Sequence, residues 1–317
     1  METLFFLLRS QYALEPKRIS PIMGGWSALA YKVECGEHSY FLKAYEKKNA
    51  ATAYWTALLD DYMPILVWLN RESPLSGRVP NPVLTRDGGF KFQDDSCIFV
   101  LYDFIEGETV GERPLTCNQV IELSQIMADL HASGAVMPCS VRTPEEDFSL
   151  PFLTKLEAFL ERDRADLPSD LREIALTYSA QLKNKAAELS VLADMLKRSG
   201  IPKTLCHTDA HGFNMMYSSR LILIDWEGMR LAPAEADLFI FAGKMYWEPY
   251  LERYSNLRHG YIPDPLAMRF YTLRRKLEDI CAFMERIVYD DMPGEPRMKA
   301  LKNLWSGCEH INAAHFG

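Results

Sequence analysis

The chain has little that would suit it to nucleic acid, to a membrane or to structural zinc. Its 35 Lys and Arg are outnumbered by 43 Asp and Glu, for a net charge of −8. A nucleic-acid binder needs a basic stripe to displace counterions, so that class is excluded. No stretch approaches the ~18 consecutive apolar residues of a membrane span. The apolar run Leu4–Leu8 is short and lacks both a basic flank and a cleavage site, so it is not expected to be a signal peptide, and the cytoplasm is the expected location. The seven cysteines (Cys35, Cys97, Cys117, Cys139, Cys206, Cys281, Cys308) are scattered, odd in number and never spaced CxxC. That removes a disulfide framework and a zinc site and leaves reduced thiols. There is no repeat and no low-complexity tract. What remains is a globular composition, 48% hydrophobic and 25% charged, over 317 residues, which suits two domains better than one core. The acidic balance favours cationic small molecules over acidic ones as partners.

Along the chain, residues 3–14 read as a short amphipathic helix. Alternating apolar residues then predict strands at Ile19–Met23, Leu29–Val33 and Ser39–Ala44, joined by Gly24-Gly25-Trp26-Ser27 and by Cys35-Gly36-Glu37. A helical stretch holds Ala50–Leu59 and Ile65–Leu69. It is interrupted at Asp60-Asp61 and Pro64, where Asp61 is a candidate cap with Pro64 in the first turn. A turn at Asp87-Gly88-Gly89 follows, and Cys97–Tyr102 is a buried strand. After Asp103 the pattern becomes helical. Thr116-Cys117-Asn118-Gln119 fits a capping box, and Gly134 is placed to close that helix. Residues 151–199 are helical and charged, and Phe270, Leu273, Leu277, Ile280, Met284 and Ile287 mark one face of a long C-terminal helix. The expected division is a strand-rich lobe over 1–102 and a helical lobe over 103–317.

The strongest chemical signal is His207-Thr208-Asp209-Ala210-His211-Gly212-Phe213-Asn214, followed by Leu221-Ile222-Leu223-Ile224-Asp225-Trp226. Phosphoryl transfer requires this set: oxygen ligands such as Asn and Asp for Mg²⁺, and a separate carboxylate to take the proton of an attacking hydroxyl. In that scheme Asp209 is the base, and Asn214 and Asp225 hold metal. A lone Asp in a loop is usually a turn or cap residue. Agreement of three positions with a following apolar strand favours the chemical reading. A hydrolytic metal site built on His207, Asp209, His211 and Asp225 is the rival, but it lacks the Glu of a HExxH helix, and Gly212 breaks such a helix.

Lys43, inside the apolar strand Tyr40-Phe41-Leu42-Lys43-Ala44, needs a charge partner or a phosphate. The small residues of the Gly24–Ser27 turn would let backbone N–H groups approach phosphates, or would serve only as a hairpin. The passage from Cys97–Tyr102 into Asp103-Phe104-Ile105-Glu106-Gly107 is either a plain linker or a connector whose backbone meets an adenine edge. Glu227 is placed either in a cleft or at the surface. Trp247, Tyr250, Tyr254 and Tyr261 are candidates for an acceptor wall or for core packing.

Together these residues resemble the aminoglycoside phosphotransferase (antibiotic kinase-like) family, which shares the bilobal, α+β protein-kinase fold. HTDAHGFN stands where the family has HxDxxxxN, and Ile224-Asp225-Trp226 where kinases have DFG. The segments Leu205–Asp209, Leu231-Ala232-Pro233, Asp237-Leu238, Gly24-Gly25, Tyr40–Lys43 and Glu278-Asp279-Ile280 are similar to those of spectinomycin-phosphorylating members, over nearly the whole chain. The resemblance implies ATP as cofactor, with GTP as the alternative, together with Mg²⁺. It implies that His207 supports the loop, that Gly24, Gly25, Trp26, Ser27 and Lys43 meet the nucleotide phosphates, and that backbone groups of Asp103 and Ile105 meet adenine. The acceptor it implies is a hydroxyl of a small cationic molecule, an aminocyclitol or aminoglycoside. A choline, homoserine or sugar kinase and a catalytically idle structural relative are the alternatives. One departure stands out. The family pairs its strand lysine with a helix Glu, yet no Glu lies between Glu46 and Glu72. Asp61, or Asp60, is the expected substitute.

Overall fold

Strand β1 (Arg18–Ile22) pairs with β2 (Leu29–Cys35), which is joined through Gly36-Glu37 to β3 (His38–Glu46). In the computed structural model, which describes residues 2–22, 28–49, 52–137, 143–161, 167–290 and 294–313, these strands open an antiparallel sheet. With β4 (Pro82–Val83), β5 (Phe92–Gln93) and β6 (Cys97–Asp103) the order is β1-β2-β3-β6-β4, β5 also lying on β6. Successive side chains on a strand point to opposite faces. One face, with Val33, Leu42, Ala44, Phe99 and Leu101, packs on Leu7, Leu8 and Tyr12 of the helix α1 (Glu2–Tyr12). Complete burial of a leucine such as Leu8, Leu42 or Leu101 stabilises by about 1.5–3 kcal/mol each. The same alternation sends Lys43 and Tyr45 to the opposite face, with Lys43 registered against Val100.

The next segment forms two helices, α2 (Thr52–Thr56) and α3 (Leu59–Glu72), rather than a helix capped at Asp61. Leu58 is the N-cap, without a side-chain cap, so Asp60 and Asp61 fall in the first turn, where the helix dipole favours carboxylates, and Pro64 lies inside the helix. Short strands β7 (Glu108–Thr109) and then α4 (Cys117–Ser133) follow. The expected capping box forms, with Thr116 accepting from the Gln119 N–H and Gln119 returning to the Thr116 N–H. Gly134 ends the helix for a reason other than the one expected. Its φ is −57°, not left-handed, and a Cβ there would stand 2.8 Å from the Leu205 backbone nitrogen. Close approach of the neighbouring strand, not a left-handed cap, requires glycine there.

The chain divides into two compact units. The first comprises Met1–Glu145, Thr204–Leu231 and Glu248–Tyr261, and the second Glu146–Lys203, Ala232–Trp247 and Ile262–Gly317. The first therefore holds the sheet, α4, β8 (Thr204–Cys206), and the hairpin of β9 (Met215–Tyr217) and β10 (Leu221–Leu223). Strand β11 (Arg230–Ala232) pairs with β8. In the second unit α5 (Phe152–Glu161), α6 (Ser169–Ser199), the short α7 (Glu235–Leu238), α9 (Pro265–Tyr289) and α10 (Glu295–Glu309) pack around α9, while α8 (Trp247–Leu257) belongs almost wholly to the first. Asp264 caps α9 by accepting from Leu266 and Ala267, and Pro265 occupies its first turn. All six residues expected on its apolar face, Phe270 to Ile287, are buried. Among the described residues no helix is long and apolar enough to cross a membrane.

Candidate active site

The chain leaves β8 at Cys206 and makes a tight loop before the hairpin, and hydrogen bonds hold each turn of that loop. His207 is fully buried. Its Nδ1 accepts from the Asp209 N–H at 3.2 Å and its Nε2 lies 2.9 Å from the Ile224 carbonyl. Accepting at one nitrogen makes the other the donor, so the ring is the Nε2–H tautomer. It ties the loop to the strand end that carries Asp225. Trp226 packs on this ring at 4.5 Å between centroids and donates its indole N–H to the Leu223 carbonyl.

Two residues of the site lie in left-handed backbone, Thr208 at φ 71° and Asp225 at φ 62°. Such conformations cost about 1–3 kcal/mol and persist where the surroundings hold them. Thr208 is held by its hydroxyl, which donates to the Gly228 carbonyl at 3.0 Å. Gly212 must be glycine because a Cβ would strike the Gly111 carbonyl oxygen, where the Gly111 N–H donates to the Gly212 carbonyl. The hairpin is fastened in turn. Arg78 pairs with Glu122 of α4 and donates to the Leu221 carbonyl, and Glu122 accepts the Leu221 N–H.

Asn214 is buried, and its side-chain amide donates to Asp209 at the backbone carbonyl (2.9 Å) and at Oδ2 (3.0 Å). That use of its nitrogen leaves Asn214 Oδ1 without a hydrogen-bond partner among the described residues. His211 Nε2 stands 3.5 Å from Asp209 Oδ2. Asp209 remains one-third exposed. Asp225 Oδ1 lies 3.2 Å from the ammonium of Lys43. Asn214 Oδ1 and the Asp225 carboxylate are both oxygen donors, the ligand chemistry that fits a hard cation such as Mg²⁺.

Lys43 itself is buried and paired with Asp225 and with Glu227, whose carboxylate also accepts from the Tyr45 hydroxyl at 2.6 Å. Burial works against the charged ammonium, but Glu227 and Asp225 outweigh it and hold the Lys43 pKa above its ordinary value. Burial pushes the Glu227 carboxyl upward. The Lys43 charge and the hydrogen bonds from Lys43 and Tyr45 overcome this and leave it below its ordinary value. Tyr45 is raised by burial first and by Glu227 second.

Two expectations are corrected here. Lys43 is partnered by Glu227 and Asp225, not by Asp61, because β3 turns the lysine toward the segment after β10, and Asp60 is taken by Lys91 at 2.7 Å. Glu227 is neither at the surface nor open to an acceptor. The buried lysine was the signal for a carboxylate partner, but nothing in the local pattern pointed to Glu227. Tyr250 and Tyr254 are fully buried and stacked, with the Tyr254 hydroxyl 2.6 Å from His131, so they are core. The connector keeps its edge available. Asp103 donates its N–H to Asn81, while its carbonyl and the Ile105 N–H have no hydrogen-bond partner among the described residues. Gly24, Gly25, Trp26 and Ser27 lie outside the described residues.

Residues 18–271 match the phosphotransferase enzyme family (APH), and the chain belongs to that family. It is a phosphotransferase-family enzyme of α+β, protein-kinase-like fold. Spectinomycin phosphotransferase APH(9)-Ia, in complex with ADP and spectinomycin, is similar with a TM-score of 0.76 at 20% identity, over 99% of this chain and 98% of that one. Choline kinase LicA from Streptococcus pneumoniae is similar with a TM-score of 0.65 at 16% identity, over 97% of this chain and 98% of that one. Protein StrN of Streptomyces griseus is 24% identical over 220 residues, 66% of this chain, and the match spans 65% of StrN's own length.

Proposed function

We propose that the protein is an ATP-dependent O-phosphotransferase acting on a small alcohol that carries a positive charge, an aminocyclitol of the spectinomycin kind. In this reading residues 1–102 bind the nucleotide and 103–317 carry the catalytic loop and the acceptor site. The observation that carries it is the bridge from the Asn214 amide to the backbone carbonyl and Oδ2 of Asp209, together with the pairing of Asp225 with Lys43. MgATP, when bound, supplies the transferable phosphoryl group and a cation that neutralises its charge. Asn214 Oδ1 and Asp225 are the groups that would hold the cation, and Lys43 the group that meets phosphate oxygens through a charge-assisted hydrogen bond. The Asp103 carbonyl and the Ile105 N–H suit an adenine edge. Asp209, aimed by Asn214 and His207 and one-third exposed, accepts the proton of the attacking hydroxyl.

Net charge supports a cationic acceptor, since −8 raises the local concentration of an ammonium-bearing ligand in a manner that salt weakens. The similarity to spectinomycin phosphotransferase favours an aminocyclitol. The similarity to a choline kinase supports choline as the second reading. Both acceptors are alcohols with a cationic nitrogen, and fold alone does not choose between them. The test has two arms. Calorimetric titration with ATP and with GTP, with and without Mg²⁺, examines the nucleotide. Turnover with spectinomycin, aminoglycosides, choline, homoserine and sugars, alongside expression in a spectinomycin-sensitive bacterium, examines the acceptor. Phosphorylated spectinomycin is the expected product. Turnover on choline or a sugar with neither resistance nor phosphorylated drug would retire the antibiotic reading. Absence of Mg²⁺-dependent nucleotide binding would retire the kinase reading altogether.

A further inference from the structure

We infer that Glu227 is the positioning residue for Lys43, taking the part that a helix carboxylate was expected to play, and that Asp225 holds the lysine only until the nucleotide arrives. The inference rests on the nucleotide reading above. Lys43 has two carboxylate partners, and they are unequal. The Glu227 side chain is 7% exposed and that of Asp225 is 36% exposed. The exposed partner is the one with room for a cation or a phosphate. The buried one meets only protein.

Glu227 is also held from a second direction, by the hydroxyl of Tyr45 at 2.6 Å. Lys43 and Tyr45 are alternate residues of β3, so one face of one strand presents both donors to one carboxylate oxygen. Between the two acids, Trp226 is buried and its indole N–H is fixed to the Leu223 carbonyl. With φ 62° at Asp225, this pin turns residues 225 and 227 toward the same ammonium. No carboxylate of α3 competes. Asp60 is paired with Lys91, and Asp61 makes no contact with Lys43 among the described residues. Withdrawing Asp225 to a cation therefore leaves Lys43 still paired and still aimed, and it spares the cost of a buried, unpartnered ammonium. A lysine anchored this way needs no movement of a helix to become competent. Its orientation is built into the segment that follows β10.

The test uses Glu227→Gln, Glu227→Asp, Tyr45→Phe and Asp61→Asn in the full chain. In the nucleotide-free protein, NMR of ¹⁵N-labelled lysine side chains reads the Lys43 ammonium, assigned by its loss in Lys43→Met. A protected signal is expected in wild type and is expected to vanish or shift in Glu227→Gln. Calorimetry with MgATP is expected to show a dissociation constant raised on the order of tenfold in Glu227→Gln, the scale of one lost charge-assisted contact. Glu227→Asp, which keeps the charge, should recover part of that loss, which a purely structural role would not produce. If Glu227→Gln does not fold, Tyr45→Phe replaces it, with an expected rise of about two- to fivefold, less than the full weight of a hydrogen bond to a charged group because the hydroxyl acts on Lys43 only through Glu227. A wild-type Lys43 signal and wild-type MgATP affinity in the folded variant overturn the inference. So does Asp61→Asn weakening MgATP more than Glu227→Gln does. Wild type that binds no MgATP overturns the nucleotide reading and the positioning role with it, while the lysine spectra still report the ion pair separately.

Discussion

Thr208 offers a measure of how far the catalytic loop is held in shape against its own backbone preference. It lies at φ 71°, between the anchored ring of His207 and the carboxylate of Asp209. A residue with a Cβ loses about 1–2 kcal/mol in left-handed backbone. The hydroxyl bond to the Gly228 carbonyl returns about 1 kcal/mol. Thr208→Ala keeps the Cβ and loses the bond, so it should destabilise by about 1 kcal/mol. Thr208→Gly loses the same bond but recovers the left-handed cost, less about 0.5–1 kcal/mol of added unfolded-chain entropy. The net change should lie between a loss of about 1 and a gain of about 0.5 kcal/mol, so glycine should be the more stable substitution by about 0.75 kcal/mol at the centre of these ranges. Urea unfolding followed by tryptophan fluorescence resolves the order of the two variants even where the two units unfold separately. An alanine variant as stable as the glycine variant would mean that Thr208 carries no strain. The hydrogen bonds of His207, Asn214 and Gly212 would then hold a shape that costs Thr208 nothing.

Three further outcomes are expected. Asp209→Asn should leave MgATP affinity near wild type in calorimetry while cutting turnover by about 10²–10⁴, the usual weight of a general base; wild-type turnover would show that Asp209 is not the base, and lost nucleotide binding that it is a metal ligand or structural. Because the Glu227 carboxyl sits below its ordinary 4.5 in the folded protein, its contribution is present above that pH and is lost as pH falls through the lowered value. Lys43, raised above 10.5, contributes below that pH and loses its contribution as pH rises through the raised value. The stability gap between wild type and Glu227→Gln should therefore be flat near neutrality and close on acidification below 4.5, as read from urea midpoints at each pH, and a gap independent of pH would contradict the pairing. Burial pushes the Cys281 and Cys308 thiols up to about 12, so with buried Cys206 they should resist an aromatic disulfide reagent at pH 8 until the chain is unfolded, while exposed Cys117 reacts at once. Mass spectrometry of the labelled peptides distinguishes them.

The sequence makes legible what is periodic or contiguous. Phe270 to Ile287 recur at helical spacing, so the buried face of α9 could be drawn before any coordinates. Alternation along Leu42, Lys43 and Ala44 separates the α1-facing core from the face that carries the lysine. The loop from His207 to Asn214 is short enough that its polar residues must meet, and Asn214 reaches Asp209 across five positions of sequence. The partner of Lys43 is a different kind of fact. Glu227 lies 184 residues away, and the contact depends on how β3, the hairpin and Trp226 come together in three dimensions. Expectation went instead to Asp61, or Asp60, because the family resemblance sets a helix carboxylate against that lysine and these are the acids between Glu46 and Glu72. Yet Lys43 did carry half of the answer, since a buried ammonium requires a carboxylate somewhere. The same division explains Gly134. A glycine after a helix reads as a left-handed cap, whereas its true constraint is the Leu205 backbone 2.8 Å from where a Cβ would stand. Local chemistry states that a residue is constrained, and the tertiary fold decides by what. For this chain that makes the buried polar groups, more than the motif, the place to seek what distinguishes it within its family.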